Sequence, residues 1–136
     1  MLPGAALEEA AAQWIAAAVT DSIKARGRCH LALSGGTTPL PLYQRLSRPP
    51  FGASIDWRHV EVWFADERAV PPDDPASNYG AIAASLLDHV PVAKDAVHRM
   101  PAERPDLDAA AADYARALPA TLDVLLLGIG AEGHTA

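Results

Sequence analysis

The sequence predicts an α/β fold, a doubly wound and mostly parallel sheet with helices on both faces. Three observations carry this. Short apolar runs of β-compatible residues, Arg28 to Leu33, Val60 to Ala65 and Leu122 to Leu127, alternate with segments of helical periodicity. The resulting order, αβαβαβαβ, leaves crossovers long enough to hold helices, as parallel strands require. Each of the three runs empties into a loop of glycine, hydroxyl or charged residues, and open α/β sheets bind ligands just beyond the carboxyl ends of their strands.

Leu7, Ala11, Trp14, Ile15, Ala18, Val19 and Ile23 fall at helical spacing and predict an amphipathic helix from about Ala5 to Arg26, ended by Gly27. After the first strand, Ser34-Gly-Gly-Thr-Thr-Pro39 leads into a short helix through about Ser47, and Arg48-Pro-Pro-Phe-Gly52 reads as a surface connection. The second strand is followed by a Pro- and Asp-rich loop from Asp66 to Pro75. Ser77 or Asn78 then caps a helix to about His89, with Ala81, Ile82, Ser85 and Leu86 on its inner side. Val97 to Met100 is expected to form a short strand. Asp106 to Leu118 is expected to be a helix with Leu107, Ala111, Tyr114 and Leu118 on one face. Trp14, Trp57 and Trp63 are read as core or rim packing.

Composition narrows the function classes. The 136 residues fit one α/β domain, 1–136, without repeats or a separate linker. Half are hydrophobic and 21% charged, the balance of a globular chain. A net charge of -6 without a basic cluster argues against nucleic acid, but leaves room for a small anion held locally by backbone N–H groups and one arginine. The single cysteine, Cys29, excludes an intrachain disulfide and makes a reducing, cytoplasmic setting the default. Glu8, Glu9 and Gln13 interrupt the N-terminal apolar stretch, so no signal peptide is read there, and no run approaches a membrane span.

Three loops carry the chemistry. In Ser34-Gly35-Gly36-Thr37-Thr38-Pro39 the glycines let the backbone approach a ligand, the hydroxyls add donors, and Pro39 suits the first turn of a helix whose positive end favours phosphate. The same residues also suit a plain strand-to-helix turn. No Gly-Lys-Ser/Thr ending makes it a Walker loop. In Asp66-Glu67-Arg68, an extended chain puts Asp66 and Arg68 on one side and Glu67 on the other. There an arginine can fork onto a phosphate, and a carboxylate can hold a sugar hydroxyl or orient an imidazole. Gly128, Gly130 and Gly133 match G-x-G-x-x-G, but without the helix, second strand and later acidic residue of a dinucleotide site. They are read as the mounting for His134, a general base or acid. Of the other histidines, His30 is on the opposite strand face from Cys29, and His59, His89 and His98 are scattered without zinc-like spacing.

Leu31-Ala-Leu-Ser-Gly-Gly-Thr-Thr-Pro39, Trp63-Phe-Ala-Asp-Glu-Arg-Ala-Val-Pro71 with Ser77-Asn78-Tyr79, and Leu125-Leu-Leu-Gly-Ile-Gly-Ala-Glu-Gly-His-Thr-Ala136 together resemble the 6-phosphogluconolactonase family. The resemblance covers essentially the whole chain. It implies a Rossmann-like sheet, a cytosolic enzyme of the oxidative pentose phosphate pathway, no metal and no organic cofactor. The implied substrate is 6-phospho-D-glucono-1,5-lactone, hydrolysed to 6-phospho-D-gluconate. Residue by residue it makes Ser34, Gly35, Gly36, Thr37 and Thr38 the substrate-binding loop, Arg68 a phosphate ligand, Asp66 the motif aspartate and His134 the base. Gly130 joins the binding set. Glu132 stands where the family commonly has aspartate, and its longer side chain is expected to reach the same partner. Family members continue well beyond this motif, so the chain is expected to be the N-terminal part of a longer lactonase domain, open to self-association on that side. Glucosamine-6-phosphate deaminase shares similar loops and is the nearest alternative; arginine after Asp-Glu and threonine after Gly-His favour the lactonase. The other readings are a non-catalytic sugar-phosphate-binding domain and an NAD-binding module resting on the glycine pattern alone.

Overall fold

The computed structural model describes residues 4–129 and 131–135. Helix α1 (Gly4–Arg26) ends where Gly27 takes φ +82° and donates its N–H to the Ile23 carbonyl at 2.7 Å. Strand β1 (Cys29–Leu33), helix α2 (Leu40–Ser47), the short helix α3 (Phe51–Ser54), strand β2 (Val60–Phe64), helix α4 (Asn78–Ser85), helix α5 (Leu107–Ala117) and strand β3 (Val124–Leu125) follow. The sheet order is β2-β1-β3 and both pairings are parallel. Among the described residues no helix is long and apolar enough to cross a membrane.

Alternation along the strands sorts the core into two layers. Cys29, Leu31, Leu33, Val60, Val62 and Phe64 pack against Ile15 and Val19 of α1, Tyr43 and Leu46 of α2 and Ile82 of α4. Ala32 and Trp63 turn the other way, onto Tyr114 of α5. Helices therefore cover both faces, as expected. Each fully buried Ile, Leu or Val in the larger layer contributes about 1.5–3 kcal/mol relative to an exposed one. Polar side chains join the smaller layer. Trp63 stacks on His98 with ring centroids 3.9 Å apart and donates its indole N–H to His30 Nδ1 at 3.1 Å.

Several elements depart from expectation. The buried stripe of α1 is Ala12, Ile15, Val19 and Ser22, while Leu7 and Trp14 face outward. The segment 48–52 is not wholly surface, because Phe51 opens α3 and is buried. Instead of a strand, Val97 makes one parallel bridge to Val62. Strand β3 is shorter than the apolar run, since it pairs only with β1 and leaves Leu125 and Leu127 about half exposed. On α5, Ala110 and Tyr114 are buried, whereas Leu107 and Leu118 remain partly open beside an apolar groove of about 240 Å³.

Candidate active site

The register brings three loops to one edge of the sheet. Leu33 pairs with Phe64 and Ala32 with Leu125, so β1, β2 and β3 end side by side, with neighbouring strands about 4.8 Å apart. The loops that leave these ends are 34–39, 65–77 and 126–135.

The glycine loop is anchored at its first residue. Ser34 Oγ donates to the Leu126 carbonyl at 2.6 Å, and the Tyr43 hydroxyl donates to the Ser34 carbonyl at 2.6 Å. Burial raises the Tyr43 pKa far above the ordinary phenol value, which keeps this donor protonated. Gly36 takes φ +87°, a conformation that favours glycine, and Thr37 and Thr38 are exposed just before α2. Pro39 sits at the N-cap with no side-chain cap bond, so side chains do not occupy the first-turn N–H groups of α2.

The second loop behaves differently. Glu67 turns inward, and its carboxylate accepts from Asn78 N at 2.7 Å, Tyr79 N at 2.9 Å and Ser77 Oγ at 3.2 Å. Ser77 in turn accepts from Gly80 N at 3.2 Å as the N-cap of α4. The positive end of α4 is thus neutralised from within; at α2 the Leu40 N–H is taken by the Thr37 carbonyl at 3.3 Å and Pro41 has none, which leaves the Leu42 N–H of the first turn. Asp66 and Arg68 are both exposed. Among the described residues Asp66 accepts from Asn78 Nδ2 at 3.0 Å, and the Arg68 guanidinium forms no ion pair.

In the third loop, Gly133 takes φ +80° and sets the turn that carries His134. Glu132 and His134 are exposed, and among the described residues neither makes a side-chain hydrogen bond or ion pair. Gly130 lies outside the described residues. The sheet therefore brings Ser34–Thr38, Asp66 and Arg68 to one edge with the His134 loop, but draws neither Glu132 nor His134 into contact with the other two loops. The groove beside α5 contains none of these residues except the neighbouring Glu67. No three His, Cys, Asp or Glu side chains among the described residues are grouped closely enough to hold a metal ion.

Three contributors were not assigned from sequence. Tyr43 holds Ser34, Glu67 caps α4, and Asn78 touches both of the first two loops. Glu67 and Asn78 lie within segments that carry the family resemblance, but Asn78 is otherwise read as a helix cap and neither is given a role in the site.

A family model described as glucosamine-6-phosphate isomerases/6-phosphogluconolactonase matches residues 3–136. A 6-phosphogluconolactonase from Mesorhizobium japonicum is 44% identical over 124 residues, which are 90% of this chain and 50% of that protein. A solved 6-phosphogluconolactonase from Thermotoga maritima superposes with a TM-score of 0.84 at 26% identity, covering 95% of this chain and 58% of that one. A solved monomeric glucosamine-6-phosphate deaminase superposes with a TM-score of 0.87 at 25% identity, covering 99% and 56%. The chain spans about half the length of the curated relatives it matches.

Proposed function

The chain belongs to the glucosamine-6-phosphate isomerase and 6-phosphogluconolactonase family, and on that premise we propose that the intact protein hydrolyses 6-phospho-D-glucono-1,5-lactone to 6-phospho-D-gluconate. The observation that carries this reading is the alignment of the three loops at one sheet edge, with Arg68 exposed there. The phosphate is held by Arg68 and the Ser34–Thr38 loop, which fixes the remote end of the lactone. His134, as neutral imidazole, takes a proton from the water that attacks the lactone carbonyl. Loop N–H groups stabilise the oxyanion, and the ring oxygen departs as a hydroxyl after receiving the proton back from the imidazolium. In this reading Asp66, whose Oδ1 accepts from Asn78 Nδ2, holds a sugar hydroxyl.

Arginine after Asp-Glu and threonine after Gly-His favour the lactonase over the deaminase in this shared fold. The buried thiol of Cys29 goes with a reducing cytoplasm. The test is turnover of the lactone, coupled to the dehydrogenase that consumes 6-phosphogluconate, set against ammonia release from glucosamine 6-phosphate. Lactone turnover without ammonia is the expected result. Ammonia release would reassign the site to the deaminase, and sugar-phosphate binding without either turnover would make the protein a non-catalytic binder.

A further inference from the structure

We propose that Asn78 is the positioning residue that holds the glycine loop and the Asp66–Arg68 loop in register, and that residue 35 is glycine in order to admit it. Asn78 is 5% exposed, and its carboxamide lies between the two loops. On one side Nδ2 donates to Asp66 Oδ1 at 3.0 Å and to the Asp66 carbonyl at 3.3 Å. On the other, the carboxamide lies against Gly35: a Cβ there would overlap Cγ and Oδ1 of Asn78 and stand 2.7 Å from Nδ2. Gly35, unlike Gly36, does not occupy the left-handed region, so its backbone would accept any residue. What excludes a side chain at 35 is Asn78. The backbone of Asn78 is fixed independently, through its N–H to Glu67 Oε1 at 2.7 Å and its place at the start of α4.

The chemistry of the contact selects asparagine. Aspartate of the same size would set a carboxylate against Asp66, and leucine would leave the Asp66 carboxylate without its donor. Serine is too short to span the gap. The amide thus fixes Asp66 Oδ1 and sets how closely the glycine loop can approach, so that the groups of the two loops face a ligand at a fixed spacing.

The kinetic and binding arms of the test rest on the lactonase reading; the melting arm does not. In the natural full-length protein, Gly35→Ala should weaken binding of 6-phosphogluconate about tenfold or more by calorimetry, and Asn78→Ala should weaken it less. The double variant G35A/N78A, in which the Cβ has room, should return to within about threefold of N78A alone. The same cycle read in the thermal midpoint needs no ligand: G35A lowers it and N78A largely relieves that loss. Losses that simply multiply, or midpoints that simply add, would overturn the contact as the reason for Gly35. Asn78→Asp should lower kcat about tenfold with the midpoint shifted by only a few degrees. An unchanged kcat would leave Asn78 with packing alone and remove the positioning role. Absence of lactone turnover in the unaltered protein would instead defeat the lactonase reading, with the melting cycle still reporting on Asn78.

Discussion

Ser34 and Leu126 lie 92 residues apart, yet the Ser34 hydroxyl donates to the Leu126 carbonyl at 2.6 Å. This bond fastens the start of the glycine loop to the chain that leads into the His134 loop. In the proposed site it links the loop assigned to phosphate with the loop assigned to proton transfer. Ser34→Ala should cost about 1–2 kcal/mol in urea denaturation, because a carbonyl loses its donor. It should also lower kcat more than it raises KM, since loop spacing changes while Arg68 stays. A variant with native stability and native kcat would show that the bond links nothing of consequence.

Glu67 is the family-motif residue with the most hydrogen bonds, and all of them are structural. Glu67→Ala removes the acceptor for Ser77, Asn78 and Tyr79 together, and should destabilise the fold by about 2–4 kcal/mol. Glu67→Gln keeps the shape and one oxygen, and should lose roughly half as much. Chemical denaturation of the two variants distinguishes this from a surface carboxylate, whose removal would change stability by less than about 0.5 kcal/mol.

Tyr114 joins the smaller core layer to the sheet. Its hydroxyl accepts from the Phe64 N–H at 3.0 Å and donates to the His98 carbonyl at 2.8 Å, and burial pushes its pKa up to about 12. Tyr114→Phe leaves the buried Phe64 N–H at the end of β2 without a partner. A loss of about 1–3 kcal/mol is expected in denaturation, with faster amide exchange at Phe64.

Cys29 gives an alkaline limit to stability. Burial, with Asp123 adding to it, raises the thiol from 9.0 to about 11. Above the unfolded value the unfolded chain has released a proton that the folded chain still holds, so stability falls as pH rises from about 9 to about 11. The loss due to this one group is roughly 2–3 kcal/mol across that interval. Cys29→Ala should flatten this part of the stability–pH curve. An unchanged slope in the variant would assign the alkaline loss to the buried tyrosines instead.

What could be read from the sequence follows from how local each signal is. The strand end at Leu33 was legible, and that of the second strand to within one residue (Ala65 read, Phe64 found), because Gly-Gly and Asp-Glu-Arg interrupt apolar runs abruptly. Glycine and charge are local instructions to leave a sheet. The outward turn of Trp14 was not legible, because a helix with Leu and Trp on both flanks does not say which flank the sheet will cover. Phe51 was lost in a Pro- and Gly-rich stretch whose composition reads as surface. Most of all, Asn78 and Glu67 act across the gap between β2 and α4, and a capping pattern does not reveal that the capped helix also presses on Gly35. The three loops could be named from sequence; the residues that space them required the fold.

The central claim is that one edge of the sheet divides the work between a base on the third loop and a phosphate clamp on the first two. The most direct measurement compares lactone hydrolysis and 6-phosphogluconate binding in His134→Ala and Arg68→Ala of the full-length protein. His134→Ala should lower kcat about 10²–10⁴-fold with binding largely kept, while Arg68→Ala should raise KM and weaken product binding about tenfold or more with a smaller change in kcat. Native kcat in His134→Ala, or unchanged KM and binding in Arg68→Ala, would contradict the account.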